Sequence, residues 1–507
     1  LLGESLKPCG RGKALKQGTP GTAGKRSRPE KQRKRAVDYE MKKLTIEQIT
    51  HAVNGVLLEG NPVDEITGIS ADSRKVEAGN AFFPLIGERY DAHDFIGEAV
   101  EGGCRTVILS RMAAAEQVRR QFPCLNLNLI LTEDTTKALQ DLAAYYLSLF
   151  SVIKIGVTGS TGKTTTKEML YWIFSEKYRT ARNHGNLNNH IGLPLTVFSL
   201  PEDAEAAIFE MGMSKLGEID LLARLVRPDI GIITNIGTSH IENLGSRENI
   251  LKAKLEIANY LTETGMLIVN EDNDLLTRDN VRGDGRYRVV TVGKTGRSDF
   301  IISNINDFGE DGIEFSLEHK EELQTFRLNV PGRHNAYNGA LAVAAAVSCG
   351  LTMEEAARGL LKLEITDKRL SIKGKNGMKI IDDTYNASPD SMKAAIDVLR
   401  ATKGVRKIAI LADMLELGEN SAAFHAEVGR YAAESPVDLL IAVGDQAKHI
   451  AEAAGEILGE DKVRYYKTKE LLIRDIGSMI SSGDVILLKG SRGMAMDQVV
   501  RKIMEMN

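Results

Sequence analysis

Beyond residue 40 the chain alternates short apolar runs with amphipathic stretches, in three successive blocks. Residues 41–147 carry apolar, β-branched runs at Glu65–Ser70, Ala81–Leu85 and Thr106–Leu109, which predict short strands. A helical pattern over Lys137–Phe150 closes this small α/β unit. The block 148–366 opens on the buried strand Val152–Val157, followed by apolar runs at Ala206–Phe209, Ile230–Thr234, Met266–Asn270 and Val289–Val292. Helical stretches at Gly217–Val226 and Arg247–Leu261 lie between them, and Tyr337–Val347 follows. Strands alternating with helices predict a parallel sheet covered on both faces. Residues Asp299–Val330 alternate as added antiparallel strands do. The block 367–507 repeats the alternation, with strands expected at Met378–Asp383, Lys407–Ala412, Leu439–Val443 and Val485–Lys489.

The length of 507 residues, at roughly 150 per domain, agrees with three domains. Four cysteines (Cys9, Cys104, Cys124, Cys349) are scattered without a CxxC pair, which excludes a zinc or disulfide framework and suits a reducing cytoplasm. The longest apolar run, Ala340–Val347, falls far short of the ~20 residues of a membrane span, so no membrane insertion is expected. Net charge is −4, yet residues 1–40 hold eleven Lys/Arg against four Asp/Glu, leaving −11 for the rest. That Gly-, Pro- and Lys/Arg-rich front reads as a disordered basic extension. It is either a tail for an anionic partner or an addition outside the native protein. The second reading is favoured because Met41-Lys42-Lys43 looks like a natural start. A nucleic-acid partner would rest on this tail alone, and none is expected.

Thr158-Gly159-Ser160-Thr161-Gly162-Lys163-Thr164-Thr165 follows a strand and opens a helix, the context that makes a P-loop credible. The strict GxxxxGK[ST] pattern fails, since Val157 stands where its first glycine belongs, but the variant TGxxGKT fits. Backbone N–H groups and the helix N-terminus would cradle phosphates, Lys163 would meet the β/γ-phosphates, and the hydroxyl of Thr164 or Thr165 would meet Mg²⁺. Glu210 ends a neighbouring strand and is the expected metal-facing carboxylate, unless it is merely a solvated strand end. His240, in the loop after a third strand, would be an unusual ligand for so hard a cation. Lys254 shares a helical face with Ile250, Ile257 and Leu261. Burial would leave a neutral amine able to take up CO₂ as a carbamate, but the residues alone favour a lysine snorkelling off an apolar stripe. The fold class expected is α/β in three domains: a small α/β N-terminal domain, a central P-loop parallel-sheet domain and a C-terminal Rossmann-like domain.

Together these pieces resemble the Mur ligases, ATP-dependent enzymes of bacterial cell-wall precursor synthesis. Thr158–Thr165 matches their P-loop form, and Pro331–Asn338 resembles their GxHNxxN segment, with Asn335 and Asn338 on one helix face. Gly185-Asn186-Leu187-Asn188-Asn189, Glu210-Met211-Gly212, Asn235–Ser246 and Asp383–Met392 resemble the branch that adds D-alanyl-D-alanine to UDP-N-acetylmuramoyl-tripeptide. Ser388 stands where that branch usually has Asn. Asp72-Ser73-Arg74 and Gly87–His93 resemble its uridine-nucleotide domain, so the resemblance covers residues 41–507.

The resemblance implies ATP and Mg²⁺, an acyl-phosphate route, those two small-molecule substrates, and a cytoplasmic monomer active in peptidoglycan synthesis. It implies catalytic roles for Lys163, Lys254, His240 and Arg369, with Lys254 carbamylated. Nucleotide contacts would come from Gly159, Ser160, Thr161, Gly162, Lys163, Thr164, Thr165, Asn270, Asn335, Arg369 and Asp383. Metal contacts would come from Thr164, Glu210, His240 and Lys254. Substrate contacts would come from Ser70, Asp72, Ser73 and Arg74, from Asn186, Asn188 and Asn189, and from Tyr385, Asn386 and Ser391, just beyond the first strand of the third block. A folylpolyglutamate synthase-like ligase and a P-loop ATPase without ligase activity are the alternatives. The first has no N-terminal domain of this kind, and the second leaves residues 185–189 and 383–392 unexplained.

Overall fold

The computed structural model describes residues 41–261, 263–364 and 368–506. The basic front and the 366/367 boundary lie outside these residues. Three large sheets follow one another along the described residues, with a two-stranded ribbon beside the first. In the first, Val56–Glu59, Asn128–Leu131, Thr106–Leu109, Asn80–Phe82 and Gly68–Ser70 lie side by side, all neighbours parallel except the first pair. The stretch Glu65–Ser70, expected as one strand, is two. Glu65–Ile66 pairs antiparallel with Leu44–Thr45, while Gly68–Ser70 joins the sheet. Thr67 between them bonds through its N–H to the Gly79 carbonyl (2.9 Å), so the chain changes partner there.

The second sheet has nine strands. Its centre is β1 (Ile153–Thr158), flanked by β2 (Ala206–Glu210) and β3 (Ile230–Ile233), both parallel to it. The chain runs from β1 out to the edge strand Thr180–Arg182, back to β2, then across to β3. β1 is therefore a topological switch point, and its carboxyl end opens onto a crevice. Register sets Glu210 opposite Val157 and Ile233 opposite Thr158, so three strand ends finish level. Residues 300–328 do form antiparallel strands, but they extend this same sheet through Arg288–Gly293.

Helix α1 (Lys163–Phe174) lies over β1 and buries Met169, Leu170, Ile173 and Phe174. The helix expected over Arg247–Leu261 is shorter: α2 spans Arg247–Leu255, and a 3₁₀ turn, Glu256–Ala258, follows. There the Glu256 carboxylate accepts bonds from the N–H groups of Gly217 (2.8 Å) and Asp220 (3.1 Å), holding the start of the helix Glu218–Val226. α3 (His334–Ser348) is alanine-rich and buried along most of its length against α1 and the sheet.

The third sheet carries β4 (Met378–Asp383) and β5 (Arg406–Ala412) on either side of β6 (Asp484–Lys489), all parallel. β4 is its second strand in chain order, since Ser371–Lys375 pairs antiparallel with it. α4 (Pro389–Ala401) starts on Ser388, whose hydroxyl and Ser391 form a capping box with Pro389 at the first helical position. Ser391 thus belongs to the first turn of a helix and not to the preceding loop. No described helix is long and apolar enough to cross a membrane.

Candidate active site

The loop between β1 and α1 is held in shape by the neighbouring strand end. Gly159 has φ +150°, and a Cβ there would sit 1.8 Å from Thr234 Oγ1; Gly162 has φ +82°. Both positions demand glycine. The N–H of Ser160 bonds to the Asn235 carbonyl (3.0 Å), the N–H of Thr161 to Asn235 Oδ1 (2.9 Å), and Thr234 Oγ1 to the Thr161 carbonyl (2.5 Å). Lys163 Nζ folds back to the Gly159 carbonyl (2.8 Å). Such a rigid loop at a helix N-terminus is an anion cradle.

Glu210 is 2% exposed, so it is not a solvated strand end. Its Oε2 accepts from Thr164 Oγ1 (2.8 Å) and its Oε1 from Asn188 Nδ2 (2.8 Å). Lys167 Nζ stands 3.8 Å away and donates to the Asn183 carbonyl (2.9 Å). Asn183 in turn accepts the Glu210 N–H and donates to the Leu187 carbonyl, stapling the Asn-rich loop to β2. Asn189 Oδ1 accepts the Gly192 N–H (2.8 Å). A buried carboxylate beside a hydroxyl is a hard-oxygen pair suited to Mg²⁺. Among the described residues no three His, Cys, Asp or Glu side chains converge to hold a metal by themselves. That fits an ion sharing its shell with phosphate oxygens, as Mg²⁺ does.

Lys254 is 1% exposed and so does not snorkel. Its amine makes no hydrogen bond or ion pair to a described residue. Burial, and then the charge of Lys163, push it well below the ordinary lysine value, which favours the neutral form of the amine. Lys163 is also lowered, chiefly by burial, with Glu210 opposing and Arg369 adding to the shift.

These side chains line a cavity of about 650 Å³ that reaches from the P-loop to the ends of β4 and β6. It gathers Ser160, Thr161, Gly162, Lys163, Thr164, Thr165, Asn188, Asn189, Glu210 and His240 with Asn335, Arg369, Asp383, Tyr385, Asn386 and Ser391. Gly159, Asn186, Lys254 and Asn270 do not line it, nor do Ser70, Asp72, Ser73 and Arg74 of the first sheet.

Asn270 Oδ1 accepts the Asp272 N–H (3.1 Å), while Asn335 donates to the Pro331 carbonyl (2.7 Å) and accepts from Asn338 (2.9 Å). In the first sheet, Arg74 grips its own Asp72 through Nε (2.8 Å) and Nη2 (2.9 Å) with its side chain 77% exposed. Ser70 Oγ donates to the Asp72 carbonyl and Ser73 Oγ to Glu98.

Across the cavity, Arg369 stacks 3.8 Å from the Tyr385 ring centroid. Asp383 accepts from the buried Lys489 Nζ (2.5 Å), which also donates to the Asn386 carbonyl (2.9 Å). Asp390 Oδ2 accepts the Thr238 N–H (3.2 Å), and His240 Nδ1 lies 2.5 Å from Glu416 Oε2. Sequence reasoning missed Lys167, Asn183, Asp390, Glu416 and Lys489. Lys489 did leave a signal, as a cation ending a fully apolar strand.

Three family models match in chain order: the Mur ligase family catalytic domain at residues 65–147, the Mur ligase middle domain at 157–346, and the Mur ligase glutamate ligase domain at 368–492. The UDP-N-acetylmuramoyl-tripeptide–D-alanyl-D-alanine ligase of Bacillus subtilis is 42% identical over 92% of this chain and 99% of its own. A crystal structure of MurF from Acinetobacter baumannii superposes with TM-score 0.82 at 33% identity, covering 92% of this chain and all of the other. MurF ligase from Thermotoga maritima, solved with ADP, gives TM-score 0.75 at 29% identity over 86% of this chain and 97% of its own. With sheet order, cleft and motifs in agreement along the described length, the chain belongs to the Mur ligase family.

Proposed function

We propose that the protein joins D-alanyl-D-alanine to UDP-N-acetylmuramoyl-tripeptide at the cost of one ATP, for peptidoglycan synthesis. The observation that carries this reading is one continuous cleft in which the P-loop, buried Glu210 and the β4 loop meet. The near end-to-end likeness to ligases named for that reaction supports it. The folylpolyglutamate synthase-like alternative is disfavoured by the five-stranded N-terminal sheet.

A carboxylate is a poor electrophile, so one of its oxygens first attacks the γ-phosphorus and ADP leaves. The amine of the dipeptide then attacks the acyl carbon. The tetrahedral adduct expels inorganic phosphate, and the nitrogen loses its proton. Lys163 and the backbone N–H groups at the start of α1, residues 162–165, would hold the phosphates and offset charge as two anions meet. Arg369 would add a cation from the opposite wall, and Asp383, Asn335 and Asn270 would contact the nucleotide. Glu210, Thr164 and His240 would hold Mg²⁺, which when bound neutralises charge on the phosphate oxygens. Lys254, whose burial favours the neutral amine, can add CO₂ and release a proton to become a carbamate, turning an amine beside Lys163 into an anion. Asn186, Asn188 and Asn189 would position the tripeptide, and Tyr385, Asn386 and Ser391 the amine. Ser70, Asp72, Ser73 and Arg74 would take the UDP end.

We assign these tasks to domains 41–147, 148–366 and 367–507 respectively for UDP substrate, ATP and amine, in a cytoplasmic monomer. The free thiols of Cys104, Cys124 and Cys349 support a reducing compartment. The test is ADP release with Mg²⁺ and bicarbonate. It is expected only when both substrates are present, and release indifferent to the dipeptide would refute ligation.

A further inference from the structure

Behind Tyr385 a second lobe of about 250 Å³ adjoins the cleft. It lies at the carboxyl ends of the adjacent strands β4, β6 and β5, lined by residues 385–388, 415–417 and 491–493, and by Ser239 and His240. Ser239, His240 and residues 385–388 line both lobes, so the two share a wall.

The far wall is built and charged. Ser491 Oγ accepts the Leu415 N–H (2.9 Å), its own N–H bonds the Asp413 carbonyl (3.0 Å), and His425 Nε2 accepts the Met414 N–H (2.9 Å). These bonds fix the β5 and β6 loops to each other and to the helix behind. Arg492 rises from this fixed base with its guanidinium 5.9 Å from the Tyr385 ring centroid. It is exposed and forms no ion pair with a described residue. The one carboxylate lining the lobe, Glu416, is already engaged by His240. The positive charge of Arg492 is therefore left for a ligand. Around it Ala387, Leu417 and Leu415 present small or aliphatic surface, and Leu415 is 46% exposed although apolar.

We propose that this lobe takes the C-terminal carboxylate and methyl groups of the incoming dipeptide, with Arg492 as the specificity-determining residue for that carboxylate. This rests on the ligase reading above. An extended dipeptide spans about 7 Å. Anchored at Arg492, it lays its methyls on Ala387 and Leu415 and directs its amine past Tyr385 into the P-loop lobe. A guanidinium recognises a carboxylate in a bidentate manner that a carboxamide does not match. The lobe therefore selects short peptides with a free C-terminus.

The experiment measures steady-state ligation by the full chain with D-alanyl-D-alanine and with its C-terminal amide, for wild type, Arg492→Met and Arg492→Lys. Wild type is expected to prefer the free acid by roughly 10–100-fold in kcat/KM, the scale of a charged hydrogen bond. Arg492→Met should raise KM for the dipeptide by a similar factor, leave KM for ATP and the tripeptide unchanged, and erase the preference over the amide. Arg492→Lys should restore part of it. An unchanged dipeptide KM, a preference that survives in Arg492→Met, or equal losses for all three substrates overturns the assignment. Wild type that ligates neither compound refutes the ligase reading itself, which separates the two failures.

Discussion

Lys254→Met is expected to make the protein more stable and nearly inactive at once. The lysine is 1% exposed on α2, in the same stretch as the fully buried Ile250 and, in the following 3₁₀ turn, Ile257, and its amine has no described partner. Taking a polar group largely out of water costs about 1–3 kcal/mol on the mutational scale, and methionine fills a similar volume without that cost. Titration adds a second term. The folded amine binds its proton less readily than the unfolded one, so between the lowered value and the ordinary lysine value the unfolded chain carries the extra proton. Wild-type stability therefore climbs as pH rises through that window and is smallest at its acid end, whereas Lys254→Met lacks this contribution. The variant should gain about 1–3 kcal/mol near pH 7, a midpoint shift of about 2–4 °C per kcal/mol for a domain of this size, and the gap should narrow towards pH 10. Ligation should fall by about 10²–10³-fold, the scale of losing one preorganised charge-stabilising group. Acetate or formate should recover part of it by standing in for the carbamate. Thermal unfolding from pH 7 to pH 10, beside substrate-dependent ADP release, checks both halves. A destabilised variant, or one keeping half its activity, refutes the reading of Lys254 as an unpaired amine retained for chemistry.

Other outcomes follow from the same contacts. Gly162→Ala forces a side chain into φ +82° with its Cβ 2.5 Å from Asn338 Oδ1, costing about 1–2 kcal/mol in backbone strain alone. KM for ATP should rise at least tenfold, and an unchanged KM would show that the loop tolerates reshaping. Glu310 and Lys379 meet at 2.5 Å where the turn Gly309–Asp311 docks beside Lys403, so Glu310→Lys should weaken docking and the double swap with Lys379→Glu should restore it. The coupling should be about 0.5–1 kcal/mol, given partial exposure, and vanishing coupling in a double-mutant cycle would contradict it. His425 is pushed below the ordinary histidine value by burial, and its Nε2 must stay unprotonated to accept the Met414 N–H. The unfolded chain then binds more protons below about pH 6.5, so stability should fall as pH drops through that value, and His425→Gln should flatten that slope.

The legible parts of this fold are those in which neighbouring residues decide the outcome. β1, the glycine turn and α1 agree at every level, because strand pattern, positive-φ glycines and helix start are local facts. Strands such as Thr180–Arg182, Ser371–Lys375 and Val463–Tyr466 left little trace, since each lies at a sheet edge and is at most partly buried. The site divides in the same way. Glu210 is readable from its place at a strand end, but Asn183 and Lys167, which hold it, matter only once α1 and two strand ends have met. Lys254 and Lys489 make the point most sharply. Each is a lysine beside buried apolar side chains of its own element, and each is almost fully buried itself. Lys489 meets Asp383 and a carbonyl, so its charge is a structural clasp between β4 and β6. Lys254 meets no described carboxylate, and burial, then the field of Lys163, disfavours its proton. Hydropathy cannot tell these two apart, because the difference resides in a carboxylate more than a hundred residues away in one case and in the lack of any described partner in the other. Reading an interrupted apolar stripe therefore requires the tertiary neighbour, and in this fold the neighbour makes one lysine a clasp and leaves the other without a described partner.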